Sequence, residues 1–409
     1  MVLQLPGGVF FPPRTDAWKH RYTLPDAGRV YLGLPSDGGY RLSVELSEPV
    51  RIGSEIAVLE DGSPVYATVS GSFDGLFSLH GQIYAGLTDN TQRMAIPVRA
   101  PETRPIGDIS PEEMVAAIRT LGVHDTRRND YLWRSVSGKN GSVRRILVDL
   151  TDAVSASFTN YSFAMDSAES VLNGAKILCS FLGASKIVLI TDVSRKGLKK
   201  KLSSLVKDDP VFSIAEVAAR YPVCDASLLS AIYNIPFGKK AEDIFIISGQ
   251  SSAALYAGLA TGFAHTEHIL SVSGSGFGKP CVLRIPIGTT WKAVLKFCQF
   301  KGGAYKTKVN SPLTGMPATG ICRVDQEYLT ADVERVLPAE ECISCGRCAS
   351  VCPSGLFPFR ILTERNYMHV KSTAAACIRC GCCSYACPSN IPLATLIQKY
   401  AERKEKEHV

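Results

Sequence analysis

The sequence predicts a multidomain α+β protein, on three observations. Short alternating apolar segments fill the first hundred residues, three apolar runs separated by helical periodicity follow, and eight of the fourteen cysteines repeat one spacing near the C-terminus. A chain of 409 residues exceeds what one hydrophobic core usually serves, so roughly two to four domains are expected.

The first segments, RVYLGL, YRLSVEL, EIAVLE and PVYATVSG, are rich in β-branched and aromatic residues and are bounded by Gly and Pro, which predicts a small all-β domain. Val50 to Ala57 followed by Pro64 to Gly71 resembles the barrel-sandwich hybrid of biotinyl and lipoyl carriers. Glu60, Asp61, Gly62 and Ser63 occupy the hairpin tip, so no carrier lysine is expected there.

From about Ser110 the pattern becomes α/β. Ile146 to Leu150, Ile187 to Ile190 and Ile244 to Ile247 read as buried parallel strands. Between the first two, Val171, Ala175, Leu178 and Leu182 recur at helical spacing, with Asp166 or Ser167 as the expected N-cap. Ile244 to Ala264 is interrupted by Ser248, Gly249, Gln250, Ser251 and Ser252, and reads as strand, turn and helix rather than a membrane span. After Glu267 the texture is again β. Gly274, Gly276 and Gly278 precede a strand, where a dinucleotide fingerprint requires a helix, so they predict a hairpin turn. A helix is expected from about Thr290 to Phe300, and a charged helical end or frayed tail from Lys399 to Val409.

Cys342, Cys345, Cys348 and Cys352 precede Pro353, and Cys377, Cys380, Cys383 and Cys387 precede Pro388. Each is the C-x2-C-x2-C-x3-C-P run of bacterial two-cluster ferredoxins, in which the fourth cysteine ligates the other cluster. The pattern therefore predicts one 4Fe-4S cluster on Cys342, Cys345, Cys348 and Cys387, and a second on Cys377, Cys380, Cys383 and Cys352. Structural zinc takes four ligands and does not account for the third cysteine or the Cys-Pro ending of each copy. Disulfides suit a secreted chain, whereas MVLQLPGGVFFPPR lacks a signal-peptide pattern and the thiols fit a reducing cytoplasm.

The formal charge of +7 is modest and no nucleic-acid motif is present. The basic run Arg195, Lys196, Lys199, Lys200 and Lys201 reads as a solvated helix face, with docking of an acidic carrier as the alternative. His265 and His268 lack the H-E-x-x-H zinc signature and are expected at the surface or in a cap. Cys382 is expected to be a packed bystander, and Cys179, Cys224, Cys281, Cys298 and Cys322 structural thiols.

Several motifs together resemble the RnfC family, from the Rnf ferredoxin–NAD oxidoreductase. They are Gly7 to Pro13, the barrel-sandwich segment, Ser271 to Gly274 leading to Pro286 to Thr290, Ser311 to Gly315, and the two cysteine runs through Leu393. The resemblance implies four domains: a barrel-sandwich hybrid over 1–105 and an α/β domain over 106–266, like the flavin- and NADH-binding subunit of respiratory complex I. A β-grasp SLBB segment over 267–335 and a two-cluster ferredoxin-like domain over 336–409 complete the set. Two family motifs are absent. The family's glycine-rich flavin-phosphate loop is replaced by Leu121 to Arg128, and its Glu-Cys-Glu-Pro-Tyr segment by Asp149 to Val154. Glycines let backbone amides approach a phosphate, and His124, Asp125 and Thr126 carry side chains into that space, so FMN and NADH are not expected. Arg127 and Arg128 are expected at the surface, with anion binding as the alternative.

These readings predict an electron-transfer subunit rather than a complete enzyme. It would relay electrons through two 4Fe-4S clusters between a soluble carrier, ferredoxin or a partner dehydrogenase, and a membrane-bound Rnf-like complex. Two alternatives remain: a soluble partner of a dedicated reductase of the cobalamin- or proline-reductase type, and an assembly protein with structural clusters. Membrane contact is expected only through partners, on the cytoplasmic side, and no nucleic acid is expected.

Overall fold

The computed structural model describes residues 2–12, 17–334, 337–363 and 375–405. Pro13, the expected domain boundary at 335/336 and the tail residues 406–409 lie outside the described residues.

Two short strands come first, β1 (Val2–Leu3) and β2 (Arg21–Thr23). The expected β domain follows as β3 (Arg29–Leu34), β4 (Tyr40–Leu42), β5 (Pro49–Val50), β6 (Glu55–Leu59), β7 (Pro64–Tyr66), β8 (Gly71–Leu79) and β9 (Gln82–Asp89). They form two sheets, ordered β3-β9-β8-β5 and β4-β6-β7. In β3 the alternate residues Val30, Leu32 and Leu34 are buried, the signature of a strand with one face on a core.

The α/β unit contains α1 (Pro111–Thr120), β10 (His124–Asp125), β11 (Asp130–Tyr131), α2 (Leu132–Val136), β12 (Arg145–Asp149), α3 (Thr159–Leu182), β13 (Lys186–Asp192) and α4 (Lys196–Val206). It continues through β14 (Phe212–Val217), α5 (Asp225–Tyr233), β15 (Ile244–Ser248) and α6 (Gly249–Thr261). The main sheet is wholly parallel, in the order β1-β14-β13-β12-β15. Its apolar runs are continuous because both faces are covered. Ile146 and Val148 join the core beneath α3 and α6, while Leu147 joins a second core with Leu228 and Leu229 of α5.

Three features depart from the expectations. Strand β14 has only Val217 fully buried, so its apolar signal is weak, and pairing with β13 and β1 makes it a strand. Helix α3 starts at Thr159, and the expected cap Ser167 is a kink inside it (φ −119°, ψ 27°). The cap is supplied from a distance, because the Asp152 carboxylate accepts from the backbone N–H of Asn160 at 2.9 Å. The first two strands do not belong to the β unit: β1 edges the parallel sheet and β2 pairs with the third unit.

That third unit is β16 (Glu267–Ser273), β17 (Cys281–Pro286), α7 (Trp291–Phe297), β18 (Tyr305–Val309) and β19 (Tyr328–Val333), in the sheet order β18-β19-β16-β17-β2. The predicted glycine-rich turn does join an antiparallel hairpin, and Thr290 caps α7 through its side chain. This unit and the β unit share one core, in which Val30 and Leu87 meet Leu283 and Trp291. Among the described residues, no helix is long and apolar enough to cross a membrane.

Candidate metal centres and the adjoining crevice

The two cysteine runs fold alike. Gly346 and Gly381 take left-handed backbone angles and start the short helices Arg347–Ser350 and Cys382–Tyr385, which bury Cys348 and Cys383. Cys342, Cys345, Cys348 and Cys387 line one small cavity with Phe359 and Ile391. Cys352, Cys377, Cys380 and Cys383 line another with Leu356 and Ile397. Each cavity thus draws three cysteines from one run and the fourth from the other.

Backbone amides are directed at several of these sulfurs. The N–H of Arg379 reaches Cys377 Sγ at 3.4 Å, and the Phe359 amide serves Cys348. Burial raises the Cys352 pKa, opposed by the amides of Leu356 and Ser354. Amide donors favour the thiolate, the form that ligates metal. Among the described residues no three His, Cys, Asp or Glu side chains converge tightly enough for a single metal ion. A cubane carries its four thiolates around a larger body, so four thiols with amide support around each cavity fit a four-iron cluster.

The surroundings of the cavities differ. Cys342 and Cys345 are exposed, whereas Cys377 and Cys380 are half-buried. The second cavity is pressed against the rest of the chain by motifs far away in sequence. Gly7, with φ +53°, lies where a Cβ would sit 2.6 Å from the Cys352 carbonyl carbon, and the Gly8 N–H donates to Val351 O at 2.8 Å. The Phe11 ring packs on Tyr385 at 5.2 Å, and a Cβ on Gly381 would meet the Thr314 methyl at 2.8 Å. Cys382 is buried among Phe11, Val154 and Tyr328, with its thiol directed at Tyr221 O, in line with the packed role expected of it.

The segments that replace the family's two flavin motifs meet at the carboxyl ends of β12 and β15, where strand order reverses and α/β proteins commonly bind ligands. A crevice of about 510 Å³ lies there, lined among others by Thr126, Arg127, Asp149, Cys224, Asp225 and Glu327. Arg127, expected at the surface, instead lies across it and bridges Asp149 and Asp225. Arg128 pairs with the fully buried Asp125. Four backbone amides of the replaced loop already have internal acceptors. His124 N–H donates to His265 Nδ1, Thr126 N–H to Ser251 Oγ, Arg127 N–H to Asp125 Oδ1, and Arg128 N–H to Asp125 O. Amides already engaged in this way, beside an aspartate, do not fit a flavin phosphate.

Glu327 lines the crevice and gave no signal in the sequence, and several residues elsewhere take places other than those expected. Glu327, just before β19, accepts from Asn160 Nδ2 at 3.0 Å and Gln250 Nε2 at 3.1 Å, and burial pushes its pKa up to about 8. Arg195, expected on a solvated face, is buried with its guanidinium on Asp152 and over the Phe158 ring at 4.1 Å. Lys199 of the same run pairs with Glu216. His265 and His268, expected at the surface or in a cap, lie inside, His268 buried and His265 half-buried with its Nδ1 accepting the His124 N–H, and burial lowers each pKa to about 3 and keeps both rings neutral. These contacts join residues from segments far apart in the chain, so periodicity could not reveal them.

Residues 341–391 match the family described as a 4Fe-4S dicluster domain. Over 274 residues the chain is 24% identical to the C subunit of the ion-translocating oxidoreductase complex of Serratia proteamaculans, covering 63% of this chain and 39% of that protein. Over 217 residues it is 24% identical to the C subunit of the Na(+)-translocating ferredoxin:NAD(+) oxidoreductase complex of Acetobacterium woodii, covering 49% and 48%. The chain is a homologue of these C subunits. It matches less than half the length of each of these two relatives. An NAD+-reducing NiFe-hydrogenase in the H2-reduced state aligns at 14% identity with a TM-score of 0.45, over 74% of this chain and 63% of that one.

Proposed function

We propose that the chain is an iron–sulfur electron-transfer subunit of an Rnf-type complex. Cys342, Cys345, Cys348 and Cys387 hold one 4Fe-4S cluster and Cys352, Cys377, Cys380 and Cys383 the other, so that each run donates its last cysteine across to its neighbour. The observation that carries this reading is the pair of separate cavities, each lined by four thiols drawn from both runs. When bound, such clusters accept and release one electron at a time. The chain's own residues supply the thiolates, direct amides at the sulfurs and exclude water from the buried side.

The subunit works without FMN or NADH of its own. The loop amides that would cradle a phosphate are engaged internally, and Arg127 is held by two carboxylates. Electrons therefore arrive from a partner, a soluble carrier such as ferredoxin or a dehydrogenase, and leave to the other redox subunits of a complex on the cytoplasmic face of the membrane. The test is anaerobic reconstitution of the full chain. About eight iron and eight sulfide per chain, and no flavin, are expected for two four-iron clusters. Stoichiometric FMN would overturn the second part, and about four iron the first. Affinity purification then identifies the assembly: integral-membrane Rnf subunits are expected, and a soluble reductase in their place would move the same relay to another complex.

A further inference from the structure

The loop between β14 and α5 carries a tyrosine that belongs neither to the thiol cavities nor to the crevice. Tyr221 is buried, and its backbone is clamped by the N-terminal segment: Val9 N–H donates to Tyr221 O at 2.9 Å and Tyr221 N–H to Val9 O at 2.8 Å. Its ring meets Phe11 edge-on at 5.6 Å. The phenol oxygen therefore has a fixed position. It lies 2.9 Å from the carbonyl oxygen of Cys380 and 2.8 Å from Ser311 Oγ.

Donor counting sets the direction of these bonds. A carbonyl only accepts, so the phenol must donate its single proton to Cys380 O. Ser311 then donates its hydroxyl proton to the phenol oxygen, while its own oxygen accepts from the N–H groups of Leu313 at 3.1 Å and Thr314 at 2.9 Å, and the Thr314 hydroxyl, 3.2 Å away, is left to donate to it. A directed chain thus runs from two amides through Ser311 and Tyr221 to the peptide of Cys380. Within such a buried chain each bond polarises the next.

The Cys380 carbonyl belongs to the Cys380–Gly381 peptide, and the following peptide carries the Cys382 amide, which donates to the Cys380 sulfur alongside the Cys382 thiol, the larger contributor. Gly381, at φ +81° and packed against Thr314 and Leu313, joins the two peptides, so the hold on the first is passed to the second through one residue. The other run offers an internal control, because Cys345 is exposed and Gly346 has no atom within 4 Å of where a Cβ would sit. Among the described residues, no side chain is seen to hold the Cys345 carbonyl.

We propose that Tyr221 is a positioning residue for the second cluster, holding the Cys380 peptide so that the Cys382 amide stays on the Cys380 sulfur. The proposal rests on the reading that Cys352, Cys377, Cys380 and Cys383 hold a 4Fe-4S cluster. Hydrogen bonds to cluster sulfur favour the reduced, more negative state and raise the potential. Tyr221→Phe deletes the hydroxyl and keeps the ring, so the second cluster alone moves to a more negative potential.

The experiment is a redox titration of the reconstituted full chain followed by electron paramagnetic resonance. Wild type, Tyr221→Phe and Ser311→Ala are compared, with the second cluster identified as the signal that Cys380→Ser alters. One midpoint potential is expected to fall in Tyr221→Phe, and by less in Ser311→Ala, with iron content unchanged. Two unchanged potentials, or equal shifts in both, overturn the proposal. If Tyr221→Phe sheds the second cluster, Ser311→Ala must still lower that potential, and an unchanged value there overturns the proposal. A wild-type chain with no more than about four iron overturns the two-cluster reading itself, and with it this proposal.

Discussion

The crevice and the cysteine cavities lie at neighbouring places in the molecule and treat their polar groups in opposite ways. In the crevice, charges and amides satisfy one another: Arg127 spans Asp149 and Asp225, and Asp125 takes up Arg128 and the Arg127 amide. In the cavities, four thiols face one space with amides directed at them. A site that has saturated its own hydrogen-bonding groups has little left for a ligand, while one that gathers softer donors around a space is organised for one. The difference is what supports the proposal that the crevice serves as a scaffold and the cavities hold metal.

The cavities offer the sharpest way to break that comparison. Cys345→Ala and Cys387→Ala should abolish the same cluster signal although they lie in different runs, and Cys352→Ala the other, each lowering iron from about eight to about four per chain. Iron analysis with electron paramagnetic resonance checks it, and loss of the signal according to run rather than cavity would refute the crossed assignment. The crevice comes next. Arg127→Ala leaves Asp149 buried without its cation and should cost about 3 kcal/mol of stability in urea unfolding, while flavin affinity stays undetectable. A variant that binds FMN would show that the plug alone excludes the cofactor.

Glu327 gives a smaller, pH-dependent effect. Its pKa is pushed up to about 8 by burial, so the folded protein keeps a proton that the unfolded chain releases near 4.5. At this group the folded state then binds more protons across this window, and the contribution of Glu327 to stability falls as pH rises from about 5 to 8, by at most about 1.4 kcal/mol per unit. Asp152, raised to about 6 by burial, acts in the same direction at lower pH, while His124, His265 and His268, neutral in the fold, act in the opposite direction up to about pH 7.5, so the contribution of Glu327 is read as the difference between wild type and Glu327→Gln. Glu327→Gln should remove that contribution in urea titrations; an unaltered slope against pH would assign it elsewhere. The smallest effect is expected on the basic helix, where Lys199→Ala removes an exposed pair with Glu216. Stability should change by less than about 0.5 kcal/mol, and the rate of electron uptake from reduced ferredoxin should not change. A slowed, salt-sensitive uptake would restore α4 as a docking surface.

Much of the fold was legible because it depends on local pattern. The runs at Ile146, Ile187 and Ile244 became parallel strands, the Gly274 region a hairpin turn, and Thr290 a helix cap. Strand β14 was missed because a strand near the sheet edge with half-buried faces carries little apolar signal, and the start of α3 because its cap, Asp152, is seven residues upstream of Thr159. Arg127, Arg195, His265 and His268 were expected at the surface, the histidines there or in a cap, because charge and polarity ordinarily signal exposure. Their partners come from other segments of the chain, so only packing revealed that they lie inside.

The sequence by itself determined the metal-binding chemistry. Thiol number, spacing and the Cys-Pro ending are properties of adjacent residues, and a short loop can present its sulfurs in few ways. It also showed where the glycines of the family's phosphate loop are replaced by other residues, because glycine is a local requirement of backbone approach. Tertiary structure decided what surrounds that chemistry. Gly7, Phe11, Tyr221, Ser311 and Thr314 are spread over some three hundred positions and converge on the second cavity, leaving the first more exposed. Two runs of nearly the same spacing therefore acquire different environments. Burial and hydrogen bonding to sulfur depend on which distant segments fold against each loop, and no spacing within either run encodes that.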